Sequence, residues 1–530
     1  MATPFNSFIS IFIAVLLTAS GANASPIHQL TVVQLNDVYE IFPVPTLDAQ
    51  GQLRQGGGMA QVATQLQKLR EEGPVLLLHG GDIFSPSLLS TRLKHRGAQM
   101  IKALNALPVD VATLGNHEFD YGCQTLLDRL RQSRFPWVVA NVDLPPAADL
   151  PPGTIQPTLV VEKDGLKVGL FGVTLPLDPV QGCGPVPISF RDPITAAQQA
   201  VATLKNQGVD LIIGITHLTF AQDRKLAAAV PDIDLIVGGH EHEVLEAMVG
   251  ETLITKAGAN AINLGLIRLK TLAIEPPPPP PAKSLVVEKG WRLLSVDPAI
   301  VPANPAMAEI LAPYQREIEP YSKIAGTSLV PLDGQEDTLR TAESNLGNYV
   351  ADAARMTMEA DIALINGGGF RDDRVIPPGD ITLADVYTML PFTSQLVLLD
   401  ITGEQLWAAL ENGLSQVEHK AGRFPQVSGL VVGYDPDLPP GKRILGVNIN
   451  GVPLDRAHHY NLATTDFLME KGQIDGYVGI LPNTPLRRGG DLSDAVLAHL
   501  ARGPITQQLE GRIHHSAPLP VSVSHSQSNN

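Results

Sequence analysis

The sequence predicts an α/β fold, arranged as two domains. Three observations carry that prediction. Short apolar runs such as residues 75–78 alternate with stretches whose apolar residues recur at helical spacing. Those runs stop at Asp, Asn or His, often beside glycine. The alternation starts afresh near Ile324, after a proline-rich break. A chain of 530 residues is long enough for two or three domains with substantial cores.

With 44% hydrophobic and 17% charged residues, the composition is that of an ordinary globular protein. A formal net charge of −16 argues against nucleic-acid polymers and anionic membranes as partners. It leaves room for a small anionic substrate, because bound cations can dominate a local site. Residues 9–17 form a short apolar core followed by Ala22-Asn23-Ala24, the pattern of a signal peptide spanning 1–24, although no Lys or Arg precedes it. Cleavage there predicts a periplasmic or secreted protein with no stable membrane anchor. Export permits a disulfide between Cys123 and Cys183, but unpaired thiols fit the sequence as well.

The elements follow in order. Residues 30–35 read as a strand running into Asn36-Asp37. Met59, Val62, Leu66 and Leu69 mark an amphipathic helix that Pro74 ends. Strand 75–78 runs out into Gly80-Gly81-Asp82, with His79 placed behind the acid. A helix near 92–107 feeds strand 109–114, which ends in Gly115-Asn116-His117-Glu118-Phe119-Asp120. A helix near 125–132 feeds strand 137–140. Strands 158–161 and 166–173 form a hairpin about Lys163-Asp164-Gly165. Helix 193–206 leads to strand 209–215 and Thr216-His217, and helix 221–229 leads to strand 235–237 and Gly238-Gly239-His240-Glu241-His242. Residues 276–281 are all proline and read as an extended surface insertion. A linker helix occupies part of 301–324. In the second half, helix 342–358 precedes strand 361–365 and Asn366-Gly367-Gly368-Gly369-Phe370-Arg371. Strand 396–399, helix 404–410 and a mixed segment to about 513 follow.

In open α/β sheets, sites gather beyond the carboxyl ends of strands. Asp37, Asp82, Asn116, His217 and His240 all occupy that position, and His242 follows closely. Each alone has a plain structural reading as a cap or a rim residue. Together they supply the carboxylate, amide and imidazole donors that a pair of divalent metals needs. His117 adds an acid/base nitrogen, and Asp120 falls on the same face if a helical turn starts there.

The order Asp37, Gly81-Asp82, Gly115-Asn116-His117-Glu118, His217, Gly239-His240-Glu241-His242 resembles the calcineurin-like metallophosphoesterases. Asn116 to Asp120 narrows the resemblance to the 5′-nucleotidase family, which includes periplasmic UDP-sugar hydrolases. The resemblance implies an N-terminal β-sandwich flanked by helices, over 25–300. It implies a C-terminal α/β substrate-binding domain over 325–515, with 516–530 as a disordered tail. It also implies a domain movement, with the hinge near 303–321. By the same resemblance Asp37, Asp82 and His242 hold one metal, and Asp82, Asn116, His217 and His240 the other, with Asp82 bridging. His117, oriented by Asp120, acts on the transferring phosphoryl group or the leaving oxygen. Zinc, manganese or cobalt is the expected metal.

One position departs from the family. A histidine usually stands two residues after the first Asp, and here it is Tyr39. Either the first metal is weakly held, or Tyr39 binds as a phenolate to a harder ion such as ferric iron. The first of these is the expectation.

The second half carries further matches. Arg340, ahead of Glu343-Ser344-Asn345-Leu346-Gly347-Asn348, and Asn366 and Arg371 match substrate contacts. Phe392 and Phe467 match two aromatics that sandwich a base, and an anion gains from arginine. After the second aromatic the family's Gly-Gly-Asp-Gly is altered to Gly472-Gln473-Ile474-Asp475-Gly476, so Asp475 is the candidate for the ribose hydroxyls. The expected function is exported, dinuclear hydrolysis of nucleoside 5′-monophosphates. Competing readings are a UDP-sugar or dinucleotide pyrophosphohydrolase, a 2′,3′-cyclic nucleotide phosphodiesterase, a general phosphomonoesterase, and a lapsed enzyme that only binds nucleotide.

Overall fold

The computed structural model describes residues 28–48, 50–145, 149–177, 186–273, 285–471 and 476–515. The expected signal peptide, the proline run, Asp475, Cys183 and the C-terminal tail lie outside the described residues.

The first domain is built on two sheets. One is seven-stranded, with Leu285–Ser295, Asn263–Ala273, His28–Leu35, Val75–His79, Val111–Ala112, Trp137–Val138 and Ile155–Gln156 as successive neighbours. From His28–Leu35 onward its pairings are parallel. The other is six-stranded, in the order Val244–Val249, Thr252–Ala257, Leu235–Gly238, Leu211–His217, Leu166–Thr174 and Thr158–Lys163. Val32, Leu76, Leu78 and Val111 from the first sheet share a core with Val168, Leu170, Ile213 and Val237 from the second. The sheets therefore face one another as a sandwich, closed by burial of their β-branched and leucine faces.

Helices cover the outer faces. Met59–Glu72, Ala98–Ala106 and Gly122–Gln132 pack on the seven-stranded sheet through Val62, Leu66, Leu104, Leu126 and Leu130. Pro193–Asn206 and Phe220–Ala229 cover the other through Ala197, Leu204 and Leu226. Asp192 and Thr219 cap these last two helices, each accepting a hydrogen bond from a backbone N–H of the first turn. Parallel strands covered by helices on one face and by the partner sheet on the other explain why so many runs read as wholly apolar.

Most expected elements lie within a few residues of their sequence positions, and the departures have local causes. The helix expected over 92–107 begins only at Ala98, as Ala98–Ala106, and a separate short helix, Leu88–Thr91, precedes it. Lys94, Arg96 and Gly97 have φ of 61°, 49° and 84°, which no right-handed helix can accommodate. The polar segment around Gly51 is a hairpin of Val44–Leu47 and Leu53–Gly56. At the hairpin expected near 163–165, Asp164 and Gly165 both have positive φ, as a two-residue turn requires.

The second domain centres on a five-stranded sheet in the order Pro425–Ser428, Ile362–Asn366, His459–Thr465, Gln395–Thr402 and Arg487–Asp491. Helices Asn345–Met358 and Leu492–Leu500 pack on one face through Val350, Ala354 and Val496. Helix Gly403–Leu414 and the strands Leu430–Tyr434 and Ile444–Ile449 cover the other through Leu406, Leu410, Val432 and Val447. Between the domains, helix Pro305–Ile318 buries Met307, Leu311 and Tyr314 in the core of the first domain.

Candidate active site

The carboxyl ends of both sheets converge. Asp37 follows His28–Leu35, Asp82 follows Val75–His79, and Asn116 follows Val111–Ala112; His217 ends Leu211–His217 and His240 follows Leu235–Gly238. The chain turns sharply at three of these points, with φ of 52° at Asp37, 59° at Asp82 and 86° at His240. Such strain on non-glycine residues collects where side chains must be aimed at one point. Glycines allow the close approach. A Cβ on Gly239 would lie 2.8 Å from His217 Nδ1 and 3.0 Å from Asp37 Oδ2, and one on Gly115 would collide with the Asp82 carboxylate.

Ligand-capable atoms of Asp37, Asp82 and His217 lie within 4.8 Å of one another, and all three residues are buried. Asn116 Oδ1 lies 3.2 Å from His217 Nε2 and 3.2 Å from His240 Nδ1. His240 donates its backbone N–H to Asp37. His217 Nδ1 is 2.7 Å from the Gly80 carbonyl, so it carries the proton and leaves Nε2 facing Asp82 at 3.2 Å. Tyr39 completes the group, its hydroxyl 3.1 Å from Asp82 Oδ2, 3.3 Å from Asp37 Oδ1 and 2.9 Å from His242 Nε2.

The electrostatics suit a cation. Burial pushes the Asp82 carboxyl up, but His217 and His117 outweigh it and hold it well below the usual carboxylate value. Burial lowers the His217 imidazole, yet Asp82 and Asp37 push it up to about 10. Burial, helped by His217, holds His240 well below its ordinary value and keeps it neutral. Burial and then the Asp82 and Asp37 charges raise the Tyr39 phenol well above its ordinary value. Two buried carboxylates with imidazole and amide neighbours form a donor set that fits divalent metal ions. The Tyr39 phenol is the weak donor in it.

His117 stands in the turn His117–Phe119, and its Nδ1 lies 2.8 Å from Asp120 Oδ2. Its backbone N–H donates to Asp82 Oδ1 at 2.9 Å. Burial lowers the ring, but Asp120 and Asp82 together raise it above its ordinary value.

The second domain closes over this region. The Phe392 ring stacks near His117, with centroids 6.3 Å apart and planes at 25°, and the Arg371 guanidinium carbon lies 5.3 Å from the Phe392 centroid. Arg340 pairs with Glu336, which reaches His242. Asn366 is buried and donates to the Gly422 carbonyl at 3.3 Å. Phe467 sits in the π-helical turn Phe467–Lys471, against the core that contains Leu468 and Tyr477.

Sequence reading gave no role to three residues that shape this site. Glu118 is fully buried and accepts backbone N–H groups from Asp82, Ile83, Phe84 and Gly115, fixing the turns that carry Asp82 and Asn116 at once. Burial and the Asp82 charge push it up to about 7. Lys256 is also fully buried and donates to the carbonyls of Leu218 and Gly239 at 2.6 and 2.5 Å, tying the strand ends that carry His217 and His240. Glu336 belongs to the other domain. The adjacency of Glu118 to His117 was visible; the long-range partners of Lys256 and Glu336 had no sequence signal.

A β-sandwich whose strand ends gather acidic, amide and imidazole donors, capped by a second α/β domain, defines a two-domain phosphoesterase. The family model described as calcineurin-like phosphoesterase matches residues 30–244, and that for the 5′-nucleotidase C-terminal domain matches 324–477. A solved 5′-nucleotidase precursor from Thermus thermophilus is 30% identical, with a TM-score of 0.82 over 93% of this chain and 100% of its own. Human 5′-nucleotidase is 28% identical over 92% of this chain and 87% of its own length. The trifunctional nucleotide phosphoesterase protein YfkN of Bacillus subtilis is 33% identical over 79% of this chain, which spans 31% of that longer protein. The chain belongs to the 5′-nucleotidase family of metal-dependent phosphoesterases.

Proposed function

We propose that the protein is an exported dinuclear metallohydrolase that removes phosphate from nucleoside 5′-monophosphates. Residues 25–300 form the catalytic domain, 301–324 the linker, and 325–515 the nucleotide-binding domain. One observation carries the reading: the Asp37, Asp82 and His217 cluster lies beside the His117–Asp120 pair, with Phe392 of the other domain stacked near His117 and Arg371 over Phe392. The relatives named above are nucleotidases and a nucleotide phosphoesterase, which supports a nucleotide substrate.

Asp37, Asp82 and His242 would hold one ion, with Tyr39 facing it, and Asp82, Asn116, His217 and His240 the other. The ions supply activation of water and neutralisation of phosphate charge. Zinc, manganese or cobalt suits the donors. A neutral phenol is a poor donor to a divalent ion, which supports a weakly held first ion over a ferric phenolate.

His117 does the proton work. Asp120 fixes Nδ1, so Nε2 is the nitrogen available to substrate. As the oxygen of water bonds to phosphorus, the bond to the 5′ oxygen breaks and His117 Nε2 delivers a proton to that oxygen. Arg371 offers its guanidinium to the phosphate, with Arg340 and Asn366 as further contacts. Phe392 and Phe467 grip the base from the second domain, and Asp475 serves the ribose.

Export is supported by the apolar run and small-residue exit before Ala24, and by Cys123, which is disulfide-bonded. The chain has one other cysteine, Cys183. Among the described residues no helix is long and apolar enough to cross a membrane. Hydrolysis of AMP, a UDP-sugar, a 2′,3′-cyclic nucleotide and an aryl phosphate, with manganese, cobalt or zinc and with the products separated by chromatography, tests the proposal. AMP should be the fastest substrate. Aryl phosphate turned over without AMP would indicate a general phosphomonoesterase, and tight AMP binding without release a lapsed enzyme.

A further inference from the structure

His242 is a proposed ligand held from the opposite domain. Its Nε2 faces the centre, 2.9 Å from the Tyr39 hydroxyl and 3.9 Å from Asp37 Oδ1. Its Nδ1 faces away, 3.4 Å from Glu336 Oε2. Glu336 opens helix Glu336–Thr341 of the second domain. Its other carboxylate oxygen pairs with Arg340 one turn on, and its backbone N–H donates to Asp373 Oδ1 at 2.8 Å.

His242, Glu336 and Asp373 also offer three ligand-capable atoms within 4.8 Å of one another. A third ion there would compete with the Arg340 guanidinium already on Glu336. The arrangement is better matched to another task. An imidazole that donates Nδ1–H to a carboxylate is locked in the tautomer and orientation that leave Nε2 as a ligand. Here the carboxylate arrives on the domain that also brings Arg340, Arg371 and Phe392 to the cleft.

We propose that Glu336 is a positioning residue for the first metal site: by holding His242 from the second domain, it makes docking of that domain and retention of the ion beside Asp37 and Tyr39 reinforce each other. The proposal rests on the dinuclear reading above. Its physical content is a linkage. A nucleotide that favours the docked domain tightens the first ion, and the ion tightens the nucleotide by the same factor. A site with a phenol in place of an imidazole gains most from such support, because its other donors hold the ion less firmly.

Mn²⁺ titration of the metal-free full chain by calorimetry tests this, with and without adenosine 5′-(α,β-methylene)diphosphate. Wild type should bind two ions, the weaker one more tightly when the analogue is present. Glu336→Ala should weaken that ion by about 10- to 100-fold, the range for loss of a partner behind a metal ligand. It should leave the tighter ion in place and abolish the effect of the analogue. Glu336→Gln, which still accepts from Nδ1–H, should recover most of the affinity. Asp337→Ala, on the same helix but paired with Lys420 and not with His242, should keep the wild-type affinity for Mn²⁺ in the absence of the analogue. Two ions bound by Glu336→Ala as tightly as by wild type would overturn the proposal and leave the dinuclear reading intact. So would an equal loss in Asp337→Ala, which would assign the effect to the helix and not to the contact with His242. Wild type that takes up fewer than two ions would sink both.

Discussion

The phenol oxygen of Tyr39 lies 2.9 Å from Nε2 of His242. A hydroxyl thus faces the space that the family usually lines with a second imidazole. The neutral phenol is the poorer donor, so Tyr39→His should tighten the weaker ion on the order of tenfold. Calorimetric titration with Zn²⁺ or Mn²⁺ reads the change. Iron-loaded wild type should show no visible charge-transfer absorption; a band that Tyr39→Phe abolishes would establish a ferric phenolate instead.

The His117–Asp120 pair sets the second expectation. His117→Ala should lower kcat for AMP by about 10²- to 10⁴-fold with little change in KM, as expected for loss of a general acid. Asp120 raises the His117 ring, which keeps its proton available near neutral pH. Activity that needs this proton falls as pH rises through the raised value. Asp120→Asn removes the supporting charge, so the alkaline limb of the kcat profile should move to lower pH. An unmoved limb would take His117 out of the acid role.

Most of the sandwich was legible because its strands are apolar on both faces and end in polar residues. Asp37, Asp82, Asn116, His217 and His240 share that address, and the structure brings them together. The late start of the helix expected over 92–107 was not legible, because left-handed Lys94 and Arg96 leave no mark in side-chain periodicity. Lys256 reads as an ordinary strand lysine, and only the fold supplies its carbonyl and carboxylate partners. Glu336 lies 94 positions after His242 by number, and its link to that ring exists only once two domains dock.

The base clamp gives a third expectation. Phe392→Ala should raise KM for AMP by about 5- to 100-fold, the range for loss of one base–aromatic stack. KM for an aryl phosphate should change far less. Equal effects on both substrates would mean that Phe392 acts through its contact with His117 and Arg371, not through the base.

His79 provides a test of stability. It is fully buried behind Asp82, and among the described residues neither ring nitrogen has a hydrogen-bond partner. Burial, with the His217 charge, pushes it down from its ordinary 6.5 to about 3. The unfolded chain therefore takes up a proton that the folded chain refuses. The stability this contributes is full above pH 6.5 and is lost as pH falls toward 3, by up to about 1.4 kcal/mol per pH unit. Urea unfolding of the metal-free protein between pH 7 and 5 should show a shallower decline for His79→Leu than for wild type. Parallel declines would mean that the ring finds a proton partner in the folded state.

The most direct test of the whole account is phosphate release from AMP while the metal-free protein is titrated with Mn²⁺. The dinuclear phosphohydrolase predicts no release from the chelated protein and activity that saturates as the second ion binds each chain. Full release in the presence of chelator, or none at any Mn²⁺ concentration despite bound AMP, would contradict it.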